Sequence, residues 1–111
     1  MGIILKILIN ALAIFGAAYI LPGVHIKNFT TAIIVALVLS VLNFLVKPIL
    51  VVFTIPITII TLGLFLLVIN AIIVKLCARL VNGFDVDGWL YAIIFSLIVS
   101  LFATIMEKII E

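Results

Sequence analysis

The chain has 111 residues, 69% of them hydrophobic and 9% charged, whereas soluble domains are about half apolar and about a quarter charged. That balance excludes a soluble globular domain and makes this an integral membrane protein. A net charge of +2 without any basic run excludes nucleic acid as a partner and leaves the lipid bilayer as the first one.

A helix needs about 20 apolar residues to cross a hydrocarbon core of roughly 30 Å. The first stretch that qualifies is 3–21. It is short, carries Lys6 and ends in small residues, as a secretory signal does. Its counterpart at 62–81 lies mid-chain, so it is read as a retained span. Asn10 sits inside it, where an unpaired amide is costly, and is expected to bond to a neighbouring helix. The segment 22–28 (PGVHIKN) opens on a turn signal and then alternates: Val24 and Ile26 apolar, His25 and Lys27 polar. Alternation predicts extended backbone.

The second span, 29–51, carries Ala32, Ala36, Ser40 and Asn43 on one helical face, with Lys47 next along it. In lipid, where apolar surface alone drives no association, such a stripe of small residues marks a contact face. The joining segment 52–61 (VFTIPITIIT) is too apolar for an ordinary aqueous loop. Pro48 and Pro56 break helical pairing around it, and Thr54, Thr58 and Thr61 are expected to satisfy the freed backbone groups.

The third span, 62–81, holds Asn70, Lys75, Cys77 and Arg79. Asn70 repeats the expectation made for Asn10. Lys75, a charge far inside a span, is either a functional group or a side chain that reaches out with Arg79 to the interface. The lone Cys77 has no partner for an internal disulfide and is read as a small buried thiol. The segment 82–88 (NGFDVDG) has the same alternation as 22–28, with Asp85 and Asp87 in the polar places. The fourth span, 89–106, carries Ala92, Ser96, Ser100 and Ala103 at the spacing of the earlier stripe, with Glu107 where the first copy has Lys47. Tyr19, Phe29, Phe84, Trp89 and Tyr91 gather at the loop end as an aromatic belt.

These parallels are one internal repeat. At a spacing of sixty residues, ten positions between Ile9 and Ser40 meet identical residues, among them Asn10 with Asn70, Gly23 with Gly83, Ala32 with Ala92 and Ser40 with Ser100. The fold expected is an all-α membrane protein of four transmembrane helices in a single domain: repeat 1 at 1–51, linker 52–61, repeat 2 at 62–111. An even number of crossings per repeat makes the copies parallel, related by a pseudo-two-fold axis along the membrane normal. The two striped spans are expected side by side near that axis. Lys47 and Glu107 then form an ion pair if the stripes face each other, or serve as separate headgroup anchors if they do not. Loops 22–28 and 82–88 are expected to pair as a short β-ribbon, setting His25 and Lys27 beside Asp85 and Asp87.

Asp85, Asp87 and His25 also offer oxygen and nitrogen ligands, but calcium asks for more carboxylates and zinc for further His or Cys, so neither metal nor cofactor is expected. Nor does any nucleophile stand beside a base, so the chain is not read as an enzyme.

The motifs Leu21-Pro22-Gly23-Val24, 36–48 (ALVLSVLNFLVKP) and 56–71 (PITIITLGLFLLVINA) resemble the four-span mycobacteriophage-type holin family, superfamily IV, over nearly the whole chain. The resemblance implies residence in the bacterial cytoplasmic membrane and, by the family's name, assembly into membrane lesions. The residues themselves favour a non-enzymatic protein that acts through helix association, as a homo-oligomer or as an accessory subunit of a larger membrane complex. A holin-like pore-former is the alternative, and a small transporter ranks third. Lysines divide almost evenly between the two faces, with both termini placed in the cytoplasm.

Overall fold

A computed structural model describes residues 2–61 and 63–110. Leu62, the expected start of the third span, and the chain-end residues Met1 and Glu111 lie outside the described residues. In chain order the elements are α1 (Ile3–Ile20), β1 (Val24–Ile26), α2 (Phe29–Leu45), α3 (Lys47–Phe53), α4 (Ile55–Ile60), α5 (Phe65–Leu80), β2 (Phe84–Val86) and α6 (Gly88–Ile110).

Local chemistry sets the boundaries. Pro22 follows the C-cap of α1 and cannot continue the helix. Asn28 starts α2, its side-chain oxygen accepting hydrogen bonds from the Thr31 amide at 2.9 Å and the Thr31 hydroxyl at 3.0 Å. Gly88 opens α6 with φ of 87°, a backbone shape that favours glycine. Pro48 and Pro56 stand in the first turns of α3 and α4, where a missing N–H costs nothing.

The prolines act earlier than the sequence predicts. The span expected at 29–51 bends by 40° between α2 and α3, because Pro48 has no amide to give the carbonyl one turn before it. In the linker the Thr54 hydroxyl donates to the Leu50 carbonyl at 2.7 Å and that of Thr61 to the Ile57 carbonyl at 3.0 Å. The Thr61 hydroxyl also accepts from the Phe65 amide at 3.2 Å. Thr58 departs from expectation: its hydroxyl is buried and has no hydrogen-bond partner among the described residues.

Among the described residues two helices, α1 and α6, are long and apolar enough to cross a membrane, and α2 with α3 makes a third if the bent pair counts as one span. The third expected span, 62–81, contains 16 helical residues in α5, about 24 Å of rise, which is short of a full hydrocarbon core.

Packing is cyclic. α1 lies against α2 and α6, and α5 lies against the same two, while no Cα of α2 comes within 8 Å of one in α6. This corrects the expected side-by-side placement of the striped spans, which stand diagonally. Close approach is instead the property of α1, where Ala11, Ala13 and Ala17 are wholly buried and Gly16 lies under the ring of Phe102.

Both α1 and α5 run toward the ribbon, and α2 and α6 run away from it. β1 and β2 pair antiparallel, Val24 with Val86, His25 with Asp85 and Ile26 with Phe84. Two flanking bonds extend the ladder, Lys27 N–H to the Gly83 carbonyl at 2.8 Å and Asp87 N–H to the Gly23 carbonyl at 2.7 Å. At the ribbon end the core includes Val24, Val35, Phe84, Val86, Ala92 and Phe95. Phe84, assigned by sequence to the aromatic belt, is buried here with its ring centroid 5.5 Å from that of Phe95. Tyr19 and Trp89 are exposed as a belt requires.

Candidate functional site

Away from the ribbon the four principal helices enclose a cleft with two lobes. One lobe, about 140 Å³, is lined by Asn43, Lys47, Asn70, Ser96 and Ser100 together with Leu39, Ile73, Val74, Phe95 and Val99. The other, about 260 Å³, is lined by Asn10, Ser40, Asn43, Ser100, Ala103 and Thr104 with Ile14, Ala36, Leu39 and Val99. Leu39, Asn43, Val99 and Ser100 belong to both, so the lobes adjoin. Toward the ribbon the cleft ends at Phe95, which is fully buried.

The diagonal placement of α2 and α6 explains the cleft. Near the ribbon the small-residue stripes are buried at Ala32, Ala36 and Ala92, whereas Ser40, Asn43, Ser100 and Ala103 border open space. The stripes therefore face each other across a gap.

The polar groups in the gap fall into two kinds. The hydroxyls fold back on their own helices: Ser40 donates to the Ala36 carbonyl, Ser96 to Ile93 and Thr104 to Ser100, each at 2.8 Å. The amides of Asn10, Asn43 and Asn70 have no side-chain partner among the described residues, so two donors and an acceptor on each remain open to the cleft. The interhelical bonds expected of Asn10 and Asn70 are absent among the described residues, because both amides face the cleft. Thr104 was not singled out in the sequence; it continues Ser96 and Ser100 at steps of four.

Lys47 and Glu107 do not come together. Lys47 lines the smaller lobe, and Glu107 lies on neither wall. Lys75 extends from α5 to the ribbon, where its ammonium donates to the Val86 carbonyl at 3.0 Å. Cys77 is fully buried, its Sγ 3.9 Å from the Val35 carbonyl.

At the ribbon, His25, Lys27, Asp85 and Asp87 are exposed while Val24, Phe84 and Val86 point into the core. His25 Nε2 lies 3.0 Å from Asp87 Oδ2, and the hydrogen bond, reinforced by the carboxylate charge, raises the His25 pKa above its ordinary 6.5. Asp85 accepts from the Val86 amide at 3.0 Å. Lys27 sits beside the turn at Gly83, whose φ of 90° excludes most side chains. Gly23 is held against the ring of Tyr91, which leaves no room for a Cβ. Alternation in two short loops was sufficient to find this ribbon; the cleft left no such local signal.

The chain is 43% identical over 104 residues to the uncharacterized membrane protein YvlD of Bacillus subtilis, covering 93% of this chain and 87% of that one. It is 38% identical over 108 residues to an uncharacterized protein of Streptomyces coelicolor, covering 88% of this chain and 86% of its relative. No solved structure matches it significantly. The family model described as mycobacterial 4 TMS phage holin, superfamily IV, matches residues 1–105, and the chain belongs to that family of membrane proteins.

Proposed function

We propose that the protein is a non-enzymatic component of the bacterial cytoplasmic membrane, with both termini in the cytoplasm, that acts by associating with itself or with a larger membrane complex. Its architecture in this reading is one four-span domain made of two parallel hairpin repeats. Several observations support the repeat. The ribbon register exchanges under a shift of sixty residues, as do its flanking bonds from Lys27 to Gly83 and from Asp87 to Gly23. Buried positions recur at the same shift, Ile9 with Ile69, Ala11 with Ala71, Ile14 with Val74, Ala17 with Cys77 and Val35 with Phe95.

The observation that carries the functional reading is where the polar groups lie. Those outside the bilayer form a small paired ribbon, and those inside line a cleft that ends at Phe95. Neither arrangement is a through-path, and neither sets a nucleophile beside a base. What remains is an outer surface of exposed Ile, Leu, Val and Phe, suited to contacts within the membrane.

Purification in mild detergent from the native membrane, followed by native mass spectrometry, tests this reading: a stable oligomer or a stoichiometric larger partner is the expected result. A chain recovered only as a monomer, at every detergent concentration that keeps it folded, contradicts it.

A holin-like pore is the second reading, favoured by the family's description and by the open amides of Asn10, Asn43 and Asn70. It needs the clefts of several copies to join, or the ribbon to move aside. Abrupt loss of membrane potential on expression supports it, and steady growth with an intact potential counts against it.

A further inference from the structure

The larger lobe of the cleft has a side door. Asn10, Ser40 and Asn43 line it and also line a groove of about 600 Å³ on the outer face between α1 and α2. The rest of that groove is Ile3, Ile7, Leu37, Val41 and Phe44, with Lys6 between Ile3 and Ile7 along α1. Polar interior and acyl-facing exterior are thus joined at the level of Asn10, Ser40 and Asn43. The charge there is of one sign. Lys47 lines the inner lobe and Lys6 the groove, and among the described residues no carboxylate lines either lobe or the groove.

We propose that this cleft holds the headgroup of an anionic phospholipid, with an acyl chain lying in the α1–α2 groove. The open amides donate to the phosphate oxygens, the two ammonium groups balance its charge, and the apolar groove keeps the chain in contact with bilayer lipid. A free anion would satisfy the amides and lysines but leave the groove unused. A purely apolar occupant would leave three amides and a lysine unpaired against hydrocarbon. Only a molecule with both parts matches both walls. Both lysines are on the face that carries the termini, which places the headgroup at the depth where phospholipid phosphates lie.

Native mass spectrometry of the detergent-purified protein tests this with three probes: 1-palmitoyl-2-oleoyl phosphatidylglycerol, phosphatidylcholine with the same chains, and inorganic phosphate. Phosphatidylglycerol is expected to bind one per chain and about tenfold more tightly than phosphatidylcholine, because the two share a phosphodiester and differ in the fixed positive charge that choline sets against Lys6 and Lys47. Lys47→Gln should reduce it to the phosphatidylcholine level, while Lys108→Gln, which removes a charge from the same face but outside the cleft, should not. Leu37→Trp should block the groove and abolish binding. If that variant misfolds, Lys6→Gln, at an exposed position, still reads the site as a partial loss. Equal retention of the two lipids, or binding unaffected by both Lys47→Gln and Lys6→Gln, overturns the proposal. Displacement of phosphatidylglycerol by millimolar phosphate also overturns it, because the site would then take the free anion.

Discussion

His25 shows how a single contact sets the charge state of the ribbon. The neighbouring Asp87 carboxylate favours the imidazolium, so the folded-state pKa lies above 6.5. The sign follows from linkage: the pair supports the ribbon fully below the unfolded pKa and is lost as pH rises through the raised folded value. Both side chains are 56% exposed, so added salt weakens the effect. An NMR titration of the ring should place His25 above 6.5, and Asp87→Asn should bring it back toward that value. The same midpoint in both proteins would mean that the pair does not persist in solution. Among residues, polarity was legible but partnership was not. Asn10 and Asn70 could be picked out because amides are rare and costly inside a span, and Asn43 as a member of the stripe on α2. Whether an amide bonds to the next helix or opens into a cleft depends on how the helices are arranged around it, which no single residue encodes.

Elements were legible where the information is local. Alternation in 22–28 and 82–88 specifies a strand, and the repeat that relates them supplies the partner found in β1 and β2, while the register is read only from the structure. Longer-range packing was less so. The stripe on α2 marks which face is crowded, but not which helix crowds it, and the close approach turned out to belong to α1. Small residues at Ala11, Ala13, Gly16 and Ala17 carried that signal. The bend before Pro48 was visible as a proline, although its effect falls on the turn preceding it. The structural weight at the ribbon end rests on Phe95, which is fully buried, packs on Phe84 and closes the cleft. Phe95→Ala should therefore lower stability by about 3 kcal/mol, measured by thermal unfolding in detergent. A loss below about 0.5 kcal/mol, the size of an ordinary surface substitution, would mean that the ribbon-end core is loosely packed.

At the scale of the whole molecule, two hairpins meet at a ribbon, seal that end with apolar side chains and diverge into a polar cleft at the other. The family match accounts for the membrane setting, and the cleft, with its side door between α1 and α2, is what the fold adds. All of this depends on the two loops lying together on one side of the bilayer, since α1 and α5 can both end at the ribbon only if they run in the same sense. Oxidative cross-linking of a His25→Cys/Asp85→Cys protein in a Cys77→Ala background, performed in intact membranes, tests that most directly. Directly paired Cα positions lie within disulfide reach, so rapid formation of an intramolecular bond is the expected result. Failure to cross-link, with the two cysteines labelled by an impermeant maleimide from opposite sides of the membrane, would contradict it.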